Sequence, residues 1–117
     1  MCGIAGFANL KGNNTTKEIN LMCDLIRHRG PDDEGYIIID RDENLKHLYG
    51  KDTVQNAKHN KINISKNNFE AKIGFGHRRL AILDISEDGH QPMLMDNNII
   101  VHNGEGYNYI EGRSQIE

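Results

Sequence analysis

No apolar run in this chain is longer than a short β-strand. Uninterrupted runs such as residues 36–39 and 99–101 hold only three or four residues each. A chain punctuated this way makes short strands joined by turns, and it holds no stretch that could span a bilayer. One segment departs from the pattern. Between residues 15 and 26, Ile19, Met22, Leu25 and Ile26 recur at helical spacing, and Thr15 with Glu18 matches a capping box. Gly30-Pro31 is expected to end that helix.

The strands follow from the same reading. Residues 1–7 (MCGIAGF) are apolar and glycine-rich, as in a buried strand approached closely by other backbone. Residues 36–40 and 45–49, with the polar turn DRDEN at 40–44, predict a hairpin. Residues 72–75 and 80–85 predict two more strands, the second buried on both faces, and 99–102 another. Residues 107–117 read as the start of a helix without a packing partner. Residues 51–68, rich in Lys, Asn and His, read as a long surface loop or insertion.

Composition narrows the class. At 117 residues and 37% hydrophobic, the chain fits one small domain or a piece of a larger one. A net charge of −3 argues against a nucleic-acid partner, which selects a basic face. Residues 1–10 lack the basic start and long apolar core of a secretory signal. The two cysteines, Cys2 and Cys23, make neither a disulfide framework nor a metal motif, so a cytoplasmic protein with reduced thiols and no membrane partner is expected.

Several residues could carry chemistry. Cys2 is small enough to permit removal of Met1, which would place a thiol and a free α-amine on one residue. Free amines of that kind titrate near 7.7–8.0 and thiols near 8.5, so the amine can serve as the thiol's base at neutral pH. A buried structural cysteine is the commoner outcome for such a position. Arg78 and Arg79 are expected at the head of the 80–85 strand, either pairing with a carboxylate or as ordinary surface residues. Asn103-Gly104 is either a hairpin turn or a pair of donors to an oxyanion, with Glu105 near enough to receive an ammonium. The charges of residues 27–33 read as a helix stop with cations at the negative end of the dipole. The six histidines show no zinc spacing, and no serine-hydrolase elbow, P-loop or dinucleotide fingerprint occurs.

Each signal is weak alone, but their order is specific. MCGIAGF at 1–7, RHRGPDDEG at 27–35, GHRRLAILD at 76–84, GHQPM at 89–93, NGE at 103–105 and YNYI at 107–110 together resemble one family. It is the class II glutamine amidotransferase domain at the N-terminus of glutamine-hydrolysing asparagine synthetases. The resemblance covers residues 1 to about 110 and departs from the family pattern at His102, Gly106 and Gly112.

The resemblance implies an α+β fold, the N-terminal part of a four-layer αββα sandwich of antiparallel sheets of the N-terminal-nucleophile hydrolase type. It implies one truncated domain over 1–117, with 42–72 as a polar insertion and the synthetase domain absent. Cys2 would be the nucleophile. Arg79, Leu80, Ala81, Ile82 and Leu83 would bind glutamine, with Arg79 on its carboxylate. Asn103 and Gly104 would form the oxyanion hole and Glu105 would hold the α-ammonium. No cofactor or metal is implied for this segment, whereas ATP and Mg2+ are implied for the synthetase domain, which uses the ammonia to make asparagine. That domain and a second copy of the chain are the candidate protein partners. An alternative is a glutaminase serving another acceptor, such as a sugar in surface-polysaccharide synthesis, or a fragment without catalysis. The 117-residue chain by itself is expected to be inactive.

Overall fold

A computed structural model describes residues 2–81 and 89–103. Its centre is a five-stranded sheet of β1 (Gly3–Ala8), β2 (Asp33–Ile39), β3 (Leu45–Tyr49), β4 (Ile62–Asn63) and β5 (Ile73–Arg79), in the order β1-β5-β2-β3-β4. β5 runs antiparallel to both of its neighbours, β1 and β2. One helix, α1 (Thr16–Leu25), covers one face. A separate hairpin of β6 (Met93–Met95) and β7 (Asn98–Ile100) forms a second, two-stranded sheet. This α+β arrangement is consistent with the N-terminal part of the expected sandwich. No helix among the described residues is long and apolar enough to cross a membrane.

The predicted hairpin forms, with Tyr36 opposite Leu48 and Ile39 opposite Leu45. Asp40 organises its turn. One carboxylate oxygen accepts the backbone N–H groups of Asp42 and Asn44, both at 2.9 Å, while Glu43 takes the left-handed conformation at φ 68°.

The helix forms where its spacing predicts, but its face and its cap differ. Thr16, Ile19 and Cys23 are buried, whereas Leu25 is 71% exposed. The positions 16, 19 and 23 are themselves a helical stripe, and the small Cys23 fits where β5 offers glycine: a Cβ built on Gly76 would stand 2.3 Å from Cys23 Sγ. The Thr15 side chain makes no cap hydrogen bond. Asn68 does that job from outside the helix, its side-chain oxygen accepting Lys17 N–H at 3.3 Å.

The stretch read as a surface loop is structural. β4 pairs in parallel with β3, and Thr53, Ala57 and Ile64 are buried. Ile64 joins Ile19, Cys23, Tyr36, Ile38, Leu48 and Ala71 in the core between α1 and the sheet.

Two other strand expectations change. β1 is an edge strand whose residues alternate in exposure rather than being uniformly buried. GHRR belongs to β5, so Arg78 and Arg79 end a strand instead of heading one. Leu80 and Ala81 follow it without strand structure, and the rest of the expected 80–85 strand lies outside the described residues, as does the helix from 107.

Candidate functional site

The β1–β5 ladder determines where the N-terminus goes. Gly3 pairs with Arg78 and Ile4 with His77, so Cys2 stands beside the end of β5. There Cys2 is buried, 7% exposed, and Leu80 N–H donates to Cys2 Sγ at 3.4 Å. Arg29 Nε donates to the Cys2 carbonyl oxygen at 3.2 Å. An open cleft of about 280 Å³ is lined by Cys2, Gly3, Ile4, Ile26, Arg29 and Asn103. The chain therefore brings together Cys2, Leu80 and Asn103, three of the residues that the sequence singled out.

Asn103 reaches the cleft through a relay from the sheet. His77 on β5 bonds the His102 carbonyl oxygen through Nε2 at 3.0 Å, and His102 N–H donates to Gln91 Oε1 at 2.6 Å. A carbonyl can only accept, so Nε2 of His77 carries the proton. Burial lowers the pKa of His77, only partly opposed by the His102 bond and the Asp33 carboxylate, which favours that neutral donor form.

Arg79 is buried at the end of β5, its guanidinium 3.9 Å from Asp33. A Cβ on Gly89 would lie 2.5 Å from Arg79 Nη2, so the absent side chain is what lets residue 89 pass over the guanidinium. Asp33 is the hub of this corner. One oxygen accepts Glu34 N–H and Val54 N–H at 3.0 Å each, and the other meets His90 Nδ1 at 2.6 Å as well as Arg79.

Arg78 is not a surface residue. It is fully buried and donates to Gly30 O at 2.9 Å, Glu34 at 2.6 Å and Asp52 at 2.8 Å. Asp52 also binds Arg27 at 2.6 Å, and Glu34 accepts the Tyr36 hydroxyl at 2.8 Å. Burial opposes ionisation of Asp52, but hydrogen bonds from Arg27 and Arg78 outweigh it and hold its pKa at about 2. The cluster of charges at 27–34 is thus more than a helix stop, because β2 sets Asp33 opposite Arg79 and Glu34 opposite Arg78. Sequence reasoning gave no role to Asp33, Glu34, Asp52, His90 or Gln91. The density of opposite charges in two separated motifs was the available signal.

Both cysteines are buried, but their surroundings differ. Cys23 is enclosed between α1 and β5, and burial pushes its thiol up to about 12. Cys2 lines a cleft. Ile82, Leu83, Gly104 and Glu105, the remaining expected site residues, lie outside the described residues.

The family model for the glutamine amidotransferase domain matches residues 1–50 and 51–117, and the chain belongs to that family. Among curated relatives, it is 39% identical over 127 residues to "Putative asparagine synthetase (glutamine-hydrolyzing) 2" of Methanocaldococcus jannaschii, covering 95% of this chain and 19% of that protein. It is 33% identical to asparagine synthetase (glutamine-hydrolyzing) 1 of Bacillus subtilis, covering 100% of this chain and 14% of the relative. It is also 30% identical to amidase chyE of Penicillium rubens, covering 99% of this chain and 15% of the relative. The chain thus spans less than a fifth of the length of each. No solved structure matches it significantly.

Proposed function

We propose that this chain is the front part of the glutaminase domain of an asparagine synthetase, with Cys2 as its nucleophile. The observation that carries the reading is the meeting of Cys2 with the Leu80 N–H and with Asn103 in one cleft. With Met1 removed, the Cys2 α-amine takes the thiol proton, and the thiolate attacks the side-chain amide carbon of glutamine. The Asn103 amide and the Gly104 N–H stabilise the oxyanion. The carbon–nitrogen bond breaks, and the Cys2 ammonium gives its proton to the leaving ammonia. Water then attacks the thioester, loses a proton to the same amine, and releases glutamate and the thiol.

Substrate binding is assigned to Arg79, Leu80, Ala81, Ile82 and Leu83, with Glu105 on the α-ammonium. In this reading the ammonia is used elsewhere in a longer protein, for the ATP-dependent amidation of aspartate. A second reading keeps the same glutaminase chemistry and sends the ammonia to a different acceptor. The experiment is substitution in the full-length protein. Cys2→Ala should abolish glutamine-dependent activity and leave ammonia-dependent asparagine synthesis in place. Glutaminase activity that survives Cys2→Ala ends the reading, and ammonia release without asparagine synthesis selects the second one.

A further inference from the structure

The sheet ladder ends one residue too early to account for the position of Leu80. The last registered pair between β2 and β5 is Asp33 with Arg79, and the last between β1 and β5 is Gly3 with Arg78. Leu80 lies beyond both, yet its N–H is the group that meets Cys2 Sγ. The backbone on each side of it is held by one residue. Asp32 N–H donates to the Arg79 carbonyl oxygen at 3.0 Å, and Asp32 Oδ2 accepts Ala81 N–H at 2.8 Å.

We propose that Asp32 is a positioning residue for the thiol: by gripping the chain before and after Leu80, it aims the Leu80 N–H at Cys2 Sγ. The inference rests on Cys2 being the nucleophile. The effect of Asp32 passes through the Leu80 peptide.

The turn that carries Asp32 is built for this. Pro31 fixes its own φ, which narrows the paths the chain can take into Asp32. Gly30 lies so close to β5 that a Cβ there would stand 2.3 Å from the Arg78 carbonyl carbon, and the Arg78 Nε donates to Gly30 O at 2.9 Å. One residue before Gly30, Arg29 Nε holds the Cys2 carbonyl at 3.2 Å. One short segment therefore grips both sides of the contact, Cys2 through Arg29 and Leu80 through Asp32. The Asp32 side chain is exposed. A hydrogen bond to such an exposed group contributes little to the stability of the fold. Its loss should therefore reach the reaction before it reaches the fold.

The test compares Asp32→Ala with Asp32→Asn in the full-length protein. Asn keeps an oxygen acceptor for Ala81 N–H and removes the charge. For Asp32→Ala, kcat for glutamine hydrolysis should fall roughly 10- to 100-fold, the scale set by misplacing a reacting group by about 1 Å. KM should stay within about twofold, and alkylation of Cys2 by iodoacetamide should slow in parallel. Asp32→Asn should restore both rates to near wild type. If Asp32→Ala fails to fold, Asp32→Glu replaces it with the same expectation, since its carboxylate sits one methylene too far out. Unchanged kcat in Asp32→Ala, a change confined to KM, or an Asp32→Asn protein as impaired as Asp32→Ala would each overturn the proposal. Cys2→Ala measured alongside separates the two levels. If it retains glutaminase activity, the nucleophile assignment fails, whereas its inactivity beside a normal Asp32→Ala protein removes the Asp32 role alone.

Discussion

Glu34 and Arg78 form an ion pair at 2.6 Å with both side chains withdrawn from solvent. The pair is stable only because every remaining valence is met: Tyr36 O–H and Asp52 N–H donate to Glu34, and Gly30 O and Asp52 accept from Arg78. Removing Glu34 would leave Arg78 with Asp52 as its counter-ion, whereas removing Arg78 strands the Glu34 charge in a buried site. Arg78→Ala should therefore cost about 3–5 kcal/mol of unfolding free energy. Denaturant titration checks this, and a loss below about 1 kcal/mol would mean that water reaches Glu34.

Asp52 ties this network to pH. With its pKa held at about 2, it is lower in the folded chain than the 3.8 of a free side chain. A depressed carboxyl contributes its stability above the unfolded pKa and loses it as pH falls toward the folded one. The Asp52 contribution should therefore be complete at neutral pH and disappear between about pH 4 and pH 2. Asp52→Asn should be less stable at pH 7 and show a flatter fall across that window. Parallel curves for the two proteins would contradict the assignment.

Thiol chemistry should separate the cysteines without mutagenesis. At pH 8 the buried Cys23, with its pKa near 12, is almost wholly protonated. An electrophilic analogue of glutamine should modify Cys2 and leave Cys23 intact, as read by peptide mass spectrometry. Equal modification of both in the folded protein would contradict this.

Asn103 and Arg79 should fail in different ways. Charge on the oxyanion exists only in the transition state, so Asn103→Ala should lower kcat by roughly 10²–10³-fold. Arg79 is assigned to the substrate carboxylate before and during reaction, so Arg79→Ala should act mainly on KM. Steady-state kinetics distinguish the two, and an Asn103→Ala effect confined to KM would cancel its role.

The close fit between Gly76 and Cys23 gives a coupled test. Gly76→Ala forces a methyl toward Cys23 Sγ, and overpacking of this kind costs about 1–3 kcal/mol. In a Cys23→Ala background the space is open, so the same change should cost much less. Additive losses in the double variant would show that the helix shifts instead.

The hairpin was legible because two apolar runs flank a turn rich in Asp and Asn, and the helix because Thr15 to Ile26 carries a local period. Order along the chain also singled out Cys2, Leu80 and Asn103, which the fold brings near one another. Burial of charge was not legible. Arg78, Glu34 and Asp52 look solvated because each is polar, and only pairing between three separated segments removes them from water. For the same reason residues 51–68 read as a loop, although Asp52 binds Arg78 and Asn68 caps α1. The exposed Leu25 misled in the opposite sense, since hydrophobicity alone cannot tell which side of a helix meets a glycine-bearing strand.

The strand order has a consequence for the timing of folding. Among the described residues β1 has a single hydrogen-bonded neighbour in its sheet, β5, which also separates it from β2. During synthesis the first strand made must wait for the fifth before it can enter a ladder, while β2 and β3 can close on each other as a local hairpin. The thiol-bearing end of the molecule is therefore among the last parts to be organised, and an early intermediate would hold the hairpin without a formed site. Pulsed hydrogen exchange should show β1 amides gaining protection no sooner than those of β5. Early protection of β1 would mean that it first docks on something other than its final neighbour.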